Sequence, residues 1–334
     1  MINLSPVLSR KIKNCVTNFV LIIISVMGSL LLCEFGLRIY QKLTAQQPFI
    51  RDKRTYYDRE LGWLWKEITG DVATSKKKIL ILGDSFTHGV SIPDEDLYCR
   101  ILGEKLNAEI FVYAGIGYGS LQEYLVLLRS FEKIKPDLLL LQVCTNDFID
   151  NSWEMESQSL FFNTRTLRPY LRDGKIQKLF PAHPSGAHYF LSHFRLYYWV
   201  FDRITNIAAN MTRKNWSEFE EHLSEQFVRQ DFLNAVKTTS ILIGWMKQTM
   251  GSVPFVAFTA DQSEAGMPYF RLIFEKNQVD FIETVPKAIR EIEHQGQNCR
   301  IDGAHWNKTG HQICAQVLAE QLVSRGYMQA PGIE

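Results

Sequence analysis

The sequence has almost no net charge: 37 lysines and arginines face 36 aspartates and glutamates over 334 residues, a balance of +1. That balance provides none of the broad positive field with which nucleic-acid binders neutralise phosphates, which argues against nucleic acid as a partner. Cysteine is sparse, and Cys15, Cys33, Cys99, Cys144, Cys299 and Cys314 have neither metal-site nor disulfide-framework spacing. Internal repeats and low-complexity tracts are missing too. Gly115-x-Gly117-x-Gly119 lacks the G-x-G-x-x-G spacing of a dinucleotide turn, and no acidic residue ends a following strand at the right distance. His183, His188 and His193 are five apart, which does not stack them on one helical face, and no carboxylates or thiolates accompany them. They read as surface or lid histidines, and neither a metal nor an organic cofactor is expected.

Hydrophobic residues make up 46% of the chain, enough for a substantial core. The longest apolar run is CVTNFVLIIISVMGSLLLC, residues 15–33, which is uncharged and interrupted only by Thr17, Asn18, Ser25 and Ser29. As a helix it rises about 28 Å, close to the roughly 30 Å of a bilayer's hydrocarbon core. It is too long for a signal-peptide core, and no small-x-small cleavage site follows it. Leu32 before Cys33 also argues against lipoprotein processing. The expectation is a retained transmembrane anchor. Arg10, Lys11 and Lys13 precede it and Arg38 and Lys42 follow, a slight bias toward a cytoplasmic N-terminus with the rest extracytoplasmic. The expected division is a tail over 1–14, a transmembrane helix over 15–33, a juxtamembrane connector over 34–75 and a globular domain over 76–330.

Within that domain, Ile79–Leu82, Ile110–Tyr113, Leu138–Val143, Pro254–Phe258 and Val279–Ile282 read as buried strands. Helical spacing separates them over 94–107, 119–134, 228–250 and 307–325, with Asp94, Ser120 and Asn307 as expected N-caps. Alternating β and α units with continuous apolar strands imply an α/β fold, a three-layer α/β/α arrangement with a parallel sheet covered on both faces. Ligands on such sheets bind outside the carboxyl ends of the strands. If the order is the flavodoxin-like 2-1-3-4-5, strands one and three are neighbours.

Three of the loops that follow strands carry chemistry: Gly83-Asp84-Ser85 after the first, Gly115 to Gly119 after the second, and Asn146-Asp147 after the third. A fourth group, Asp302-x-x-His305, precedes the last helix, and its spacing lets the carboxylate reach the imidazole. A serine hydroxyl is a weak nucleophile until a base takes its proton, and a carboxylate on the far imidazole nitrogen holds the required tautomer. Ser85, His305 and Asp302 supply those roles. The backbone N–H of Ser85, a glycine N–H from 115–119 and the Asn146 side chain can converge on an oxyanion. Asp84 is expected to support the turn, and His88 to be a bystander.

In this order the four blocks resemble those of the SGNH, or GDSL-type, hydrolases, over roughly residues 76 to 326. The resemblance implies a three-layer α/β/α domain, Ser85 as nucleophile with Asp302 and His305 as partners, and oxyanion donors from Ser85, a glycine of the second block and Asn146. Two positions depart from the family pattern. Cys144 stands where the third block usually has glycine, placing a side chain toward the acyl pocket. Tyr113 stands where the second block usually has asparagine, and the compressed spacing after it favours Gly117 over Gly115 as the donor.

Residues 150 to 225 are far longer than a bare connection and rich in aromatics. They read as an inserted cap, with a hairpin turning at Asp173-Gly174 and an amphipathic helix over 187–212. Similarity to anchored members of the family implies a membrane-anchored serine esterase acting on O-acyl, including O-acetyl, groups of a surface glycan. An O-acyltransferase or lipid esterase on the same site, and a non-catalytic glycan-binding or assembly scaffold, are the alternatives.

Overall fold

Apolar residues at consecutive strand positions can bury both faces of a sheet, and the central strands of this protein do so. The computed structural model describes residues 6–44, 58, 60–62, 67–89, 92–158, 167–179, 196–197, 200, 230–260, 265–301 and 304–329. Its main sheet contains β1 (Glu67–Ile68), β2 (Lys78–Gly83), β3 (Glu109–Ala114), β4 (Leu138–Val143), β7 (Phe255–Thr259) and β8 (Asp280–Ile282), while β5 (Arg168–Arg172) and β6 (Lys175–Leu179) form a separate hairpin. The sheet order is β1-β3-β2-β4-β7-β8, parallel except for β1. Its five parallel strands follow the 2-1-3-4-5 order of a flavodoxin-like sheet.

Leu80, Leu82, Leu139 and Leu141 face one layer of helices: α4 (Ser120–Ile134), α7 (Gln230–Met250) and α8 (Met267–Lys276). The alternate positions, Ile79, Ile81, Leu138 and Leu140, face α3 (Tyr98–Leu106), α9 (Thr284–His294) and α10 (Lys308–Ser324). The result is the three-layer α/β/α fold. Short helices α2 (Ser85–His88), α5 (Asn146–Asp150) and α6 (Trp153–Gln158) follow β2 and β4 at the carboxyl edge.

Several expectations need correction. The 94–107 segment is a single 3₁₀ turn, Asp94–Asp96, and then α3, because Leu97 adopts an extended conformation (φ −74°, ψ 141°) that carries its side chain into the core. Asp94 therefore does not cap α3. Ser120 lies inside α4 and Gly119 takes the N-cap position. Asn307 caps α10 as expected, its side-chain oxygen accepting the Gly310 N–H at 3.1 Å. Helix α1 (Pro6–Thr44) runs into the 34–75 stretch, and β1 at the far end of that stretch pairs antiparallel with β3 and buries Ile68. The hairpin does turn at Asp173-Gly174, both with positive φ (50° and 70°), the backbone that a two-residue turn between twisted strands requires. The helix expected over 187–212 and His183, His188 and His193 lie outside the described residues, apart from positions 196, 197 and 200.

The chain divides into two units, Met1–Lys53 with Pro184–Asn215, and Arg54–His183 with Trp216–Glu334. In the first, α1 contains a 23-residue stretch, Thr17–Ile39, of mean hydropathy 2.3, the one helix among the described residues long and apolar enough to cross a membrane. Glu34 near its end accepts from Arg38 Nε at 2.7 Å and from the Leu196 N–H at 2.8 Å.

Leu140 is fully buried between β2 and β7. Leu140→Ala is expected to lower the unfolding free energy by about 2–5 kcal/mol, read from the urea midpoint of the full chain in detergent at unchanged m value.

Candidate active site

Strand β2 ends at a turn built around one buried amide. The side-chain oxygen of Gln142, from β4, accepts the N–H of Asp84 at 3.1 Å, the N–H of Thr87 at 3.3 Å and the Thr87 hydroxyl at 2.9 Å. With its own proton given to Gln142, Thr87 Oγ1 is left to accept the Tyr98 hydroxyl at 2.8 Å. Gly83 is required for this closeness, since a Cβ there would collide with the Thr87 hydroxyl and the Gln142 carbonyl. Asp84 caps the helical turn that follows, its Oδ1 accepting the Phe86 N–H at 2.9 Å, the supporting part expected of it. Ser85 thus begins α2 at the carboxyl edge of the sheet, half-buried.

His305 arrives from the opposite end of the chain. Its loop folds back as a short ladder, with the Ile301 N–H donating to the His305 carbonyl at 2.9 Å and the Asn307 N–H to the Cys299 carbonyl at 2.9 Å. Phe86 lies against the imidazole, ring centroids 5.2 Å apart, and is itself packed edge-on against buried Trp306 at 4.9 Å. In this position His305 Nε2 is 2.9 Å from Ser85 Oγ. A hydroxyl at hydrogen-bond distance from an imidazole nitrogen can pass its proton to it. Asp302 lies outside the described residues.

The other two blocks emerge on either side of the serine, because β2 pairs in register with both β3 and β4. Gly117 sits in the turn after β3 with φ 70°, and Asn146 opens α5 after β4. Asn146 Nδ2 donates to Asp150 Oδ2 at 2.8 Å. Cys144 is buried, its N–H donating to Asp147 Oδ2 at 3.0 Å, and Tyr113 packs into the core beside β1. His88 is buried as well.

Beneath this edge lies a group of buried acids that sequence reading did not single out. Asp84, Glu123, Asp147, Asp150 and Glu156 are all almost wholly removed from solvent. Burial, and then Asp84 and Asp150, push the Glu123 carboxyl well above its usual range, and neither of its oxygens has a hydrogen-bond partner among the described residues. Burial likewise raises Asp147, with Glu123 and Asp84 adding to it. Asp84 is raised by burial against the pull of the Phe86 N–H and of nearby His305. Asp150 is pushed up to about 8 by burial, against the attraction of Arg168. Arg168, from β5, is equally buried and lies 3.1 Å from Asp150 and 3.0 Å from Glu156. The available signals were the polar Gln122 and Glu123 among apolar helix positions, and Arg168 and Tyr170 two apart on one hairpin face.

Among the described residues no group of three or more acids, histidines or cysteines is arranged to hold a metal ion. No family model and no curated protein matches the chain. Several solved structures do. One is the psychrotrophic esterase EstA from Pseudoalteromonas sp., at 12% identity over 75% of this chain and 98% of that one, with TM-score 0.40. Another is an acetyl xylan esterase from the rumen bacterium Butyrivibrio proteoclasticus, at 13% identity over 77% and 67%, TM-score 0.42. A third is a lipase/acylhydrolase from Enterococcus faecalis, at 12% over 77% and 99%, TM-score 0.41.

The raised acids set a sign for stability. A carboxyl raised on folding binds its proton more tightly in the folded chain, so stability is greatest below the unfolded value of about 4.3 and falls as pH rises toward the folded one. Glu123→Gln removes one such group. The variant is expected to match wild type near pH 4 and to gain on it as pH rises, by up to about 1.4 kcal/mol per pH unit, in urea titrations across that range.

Proposed function

We propose that this chain is a serine ester hydrolase with Ser85 as nucleophile and His305 as its base. The observation that carries this reading is the 2.9 Å approach of His305 Nε2 to Ser85 Oγ, between residues 220 positions apart in the chain, at the carboxyl edge of a parallel sheet. In the proposed cycle His305 takes the Ser85 proton as Oγ attacks the ester carbonyl, and the C–O bond then breaks as His305 protonates the departing alcohol. An acyl-enzyme remains. Water, deprotonated by His305, attacks it and releases the acid and the serine. Asp302 is assigned to the other imidazole nitrogen, where it would hold the tautomer and stabilise the imidazolium. The N–H groups of Ser85 and Gly117 and one N–H of the Asn146 amide are assigned to the oxyanion.

The membrane reading rests on the apolar stretch of α1, which we take as a retained anchor with the N-terminus in the cytoplasm. The substrate class proposed is an O-acyl ester on a surface glycan, with acetyl as the acyl group. This extends the likeness of the four sequence blocks to anchored members of the SGNH family.

Full chain in detergent is expected to react with a fluorophosphonate probe and to hydrolyse p-nitrophenyl acetate faster than longer acyl esters. Ser85→Ala is expected to abolish both, and His305→Ala to lower kcat/KM by about 10²–10⁴. Equal labelling of wild type and Ser85→Ala would end the nucleophile assignment, and preference for a long chain would move the substrate to a lipid ester. Alkaline phosphatase fused at the C-terminus is expected to be active in a bacterial host; an inactive fusion beside an active cytoplasmic reporter would reverse the orientation.

A further inference from the structure

We infer that Arg168, which belongs to the hairpin and not to the sheet edge, is a positioning residue for both loops flanking Ser85. The inference rests on the reading of that edge as the oxyanion site. Arg168 is 1% exposed and reaches the two loops through different nitrogens.

Nη2 donates to Gln122 Oε1 at 2.6 Å, and the same oxygen accepts the N–H of Gly119, the last glycine of the turn, at 3.2 Å. The Gln122 amide has one sensible orientation, because its Nε2 donates to the Leu61 carbonyl at 2.8 Å. Nη1 donates to Asp150 Oδ1 at 3.1 Å, and the other oxygen of that carboxyl accepts Asn146 Nδ2 at 2.8 Å. Asn146, the residue assigned to the oxyanion, is thereby tied through Asp150 to Arg168. Glu156 completes the setting, its Oε2 lying 3.0 Å from Nη1 and accepting the Tyr170 hydroxyl at 2.7 Å.

A planar guanidinium serves this geometry because its donors diverge at fixed angles, so one residue can set the relative position of two loops. An ammonium keeps the charge but not the fork. The loops also meet through Asn151, whose Nδ2 donates to Ser120 Oγ at 3.1 Å, so the edge retains a link when Arg168 is changed.

The test compares full-length wild type, Arg168→Lys, Arg168→Met and Asp150→Asn in detergent, by amide hydrogen exchange and by p-nitrophenyl acetate kinetics. Arg168→Lys keeps the buried charge and guards against a misfolded Arg168→Met. In Arg168→Lys, exchange over 115–122 and 144–151 is expected to rise about tenfold with β7 unchanged. Asp150→Asn is expected to raise it over 144–151 alone. If the chain turns over ester through Ser85, kcat is expected to fall about 10²-fold in Arg168→Lys with KM within about twofold, the mark of an interaction made in the transition state. Unchanged exchange in both loops overturns the inference, as does a rise confined to 168–179 or one that includes β7. A wild-type chain without Ser85-dependent turnover refutes the esterase reading alone, since the exchange pattern still decides whether Arg168 holds the loops.

Discussion

The parallel pairing of β2 with β3 on one side and β4 on the other determines what the carboxyl edge of this sheet can do. Gly83 pairs with Ala114, and Leu82 with both Tyr113 and Leu141, so three chains leave the sheet at nearly one level. The turn holding Ser85, the glycine turn and the start of α5 therefore emerge side by side, though a helix and a whole strand separate each from the next in sequence. Gln142 makes the alignment exacting. Projecting from β4, it satisfies two N–H groups and a hydroxyl of the serine's turn, and a slip of one position would turn its side chain to the opposite face.

Burying polar groups costs free energy unless each is paired, and this edge spends its polar side chains in two ways. Around Gln142 a single side-chain oxygen takes three donors and the backbone is held tightly. Among Glu123, Asp147 and Asp84 the pairing is incomplete, and burial answers by raising the carboxyls. Arg168 neutralises the side nearest the hairpin, where Asp150 and Glu156 converge. The inner wall of the site thus mixes a rigid hydrogen-bonded part with a proton-dependent one, and both lie within the reach of two short helices.

Much of the fold was legible because periodicity reports burial directly. Runs such as Leu138–Val143, apolar at nearly every position, have few uses other than a sheet covered on both faces. The Asp173-Gly174 turn was legible for a local reason, since that pair tolerates the positive φ a tight hairpin needs. Helices α8 and α9 were missed although each carries one buried face, Phe270, Ile273 and Phe274 in the first and Val285, Pro286 and Ile289 in the second, because each is only about three turns long and gives the period few repeats. Leu97 shows the limit in the other direction, because the choice between continuing a helix from Asp94 and breaking it at Leu97 depends on a core the local sequence does not contain.

For the site, the sequence by itself determined the chemically capable residues, Ser85, His305, Asn146 and the glycine turn, and their order along an alternating β and α pattern. Their types and their places at strand ends are local properties. The tertiary structure decided the 2.9 Å meeting of Ser85 with His305, and the role of Arg168 as a shared partner of Gln122 and Asp150. Neither follows from spacing, because each joins elements whose separation in space is set by strand order and helix packing. A buried arginine, moreover, looks in sequence like any charge on a hairpin; only the enclosure of its neighbours makes it a connection between loops.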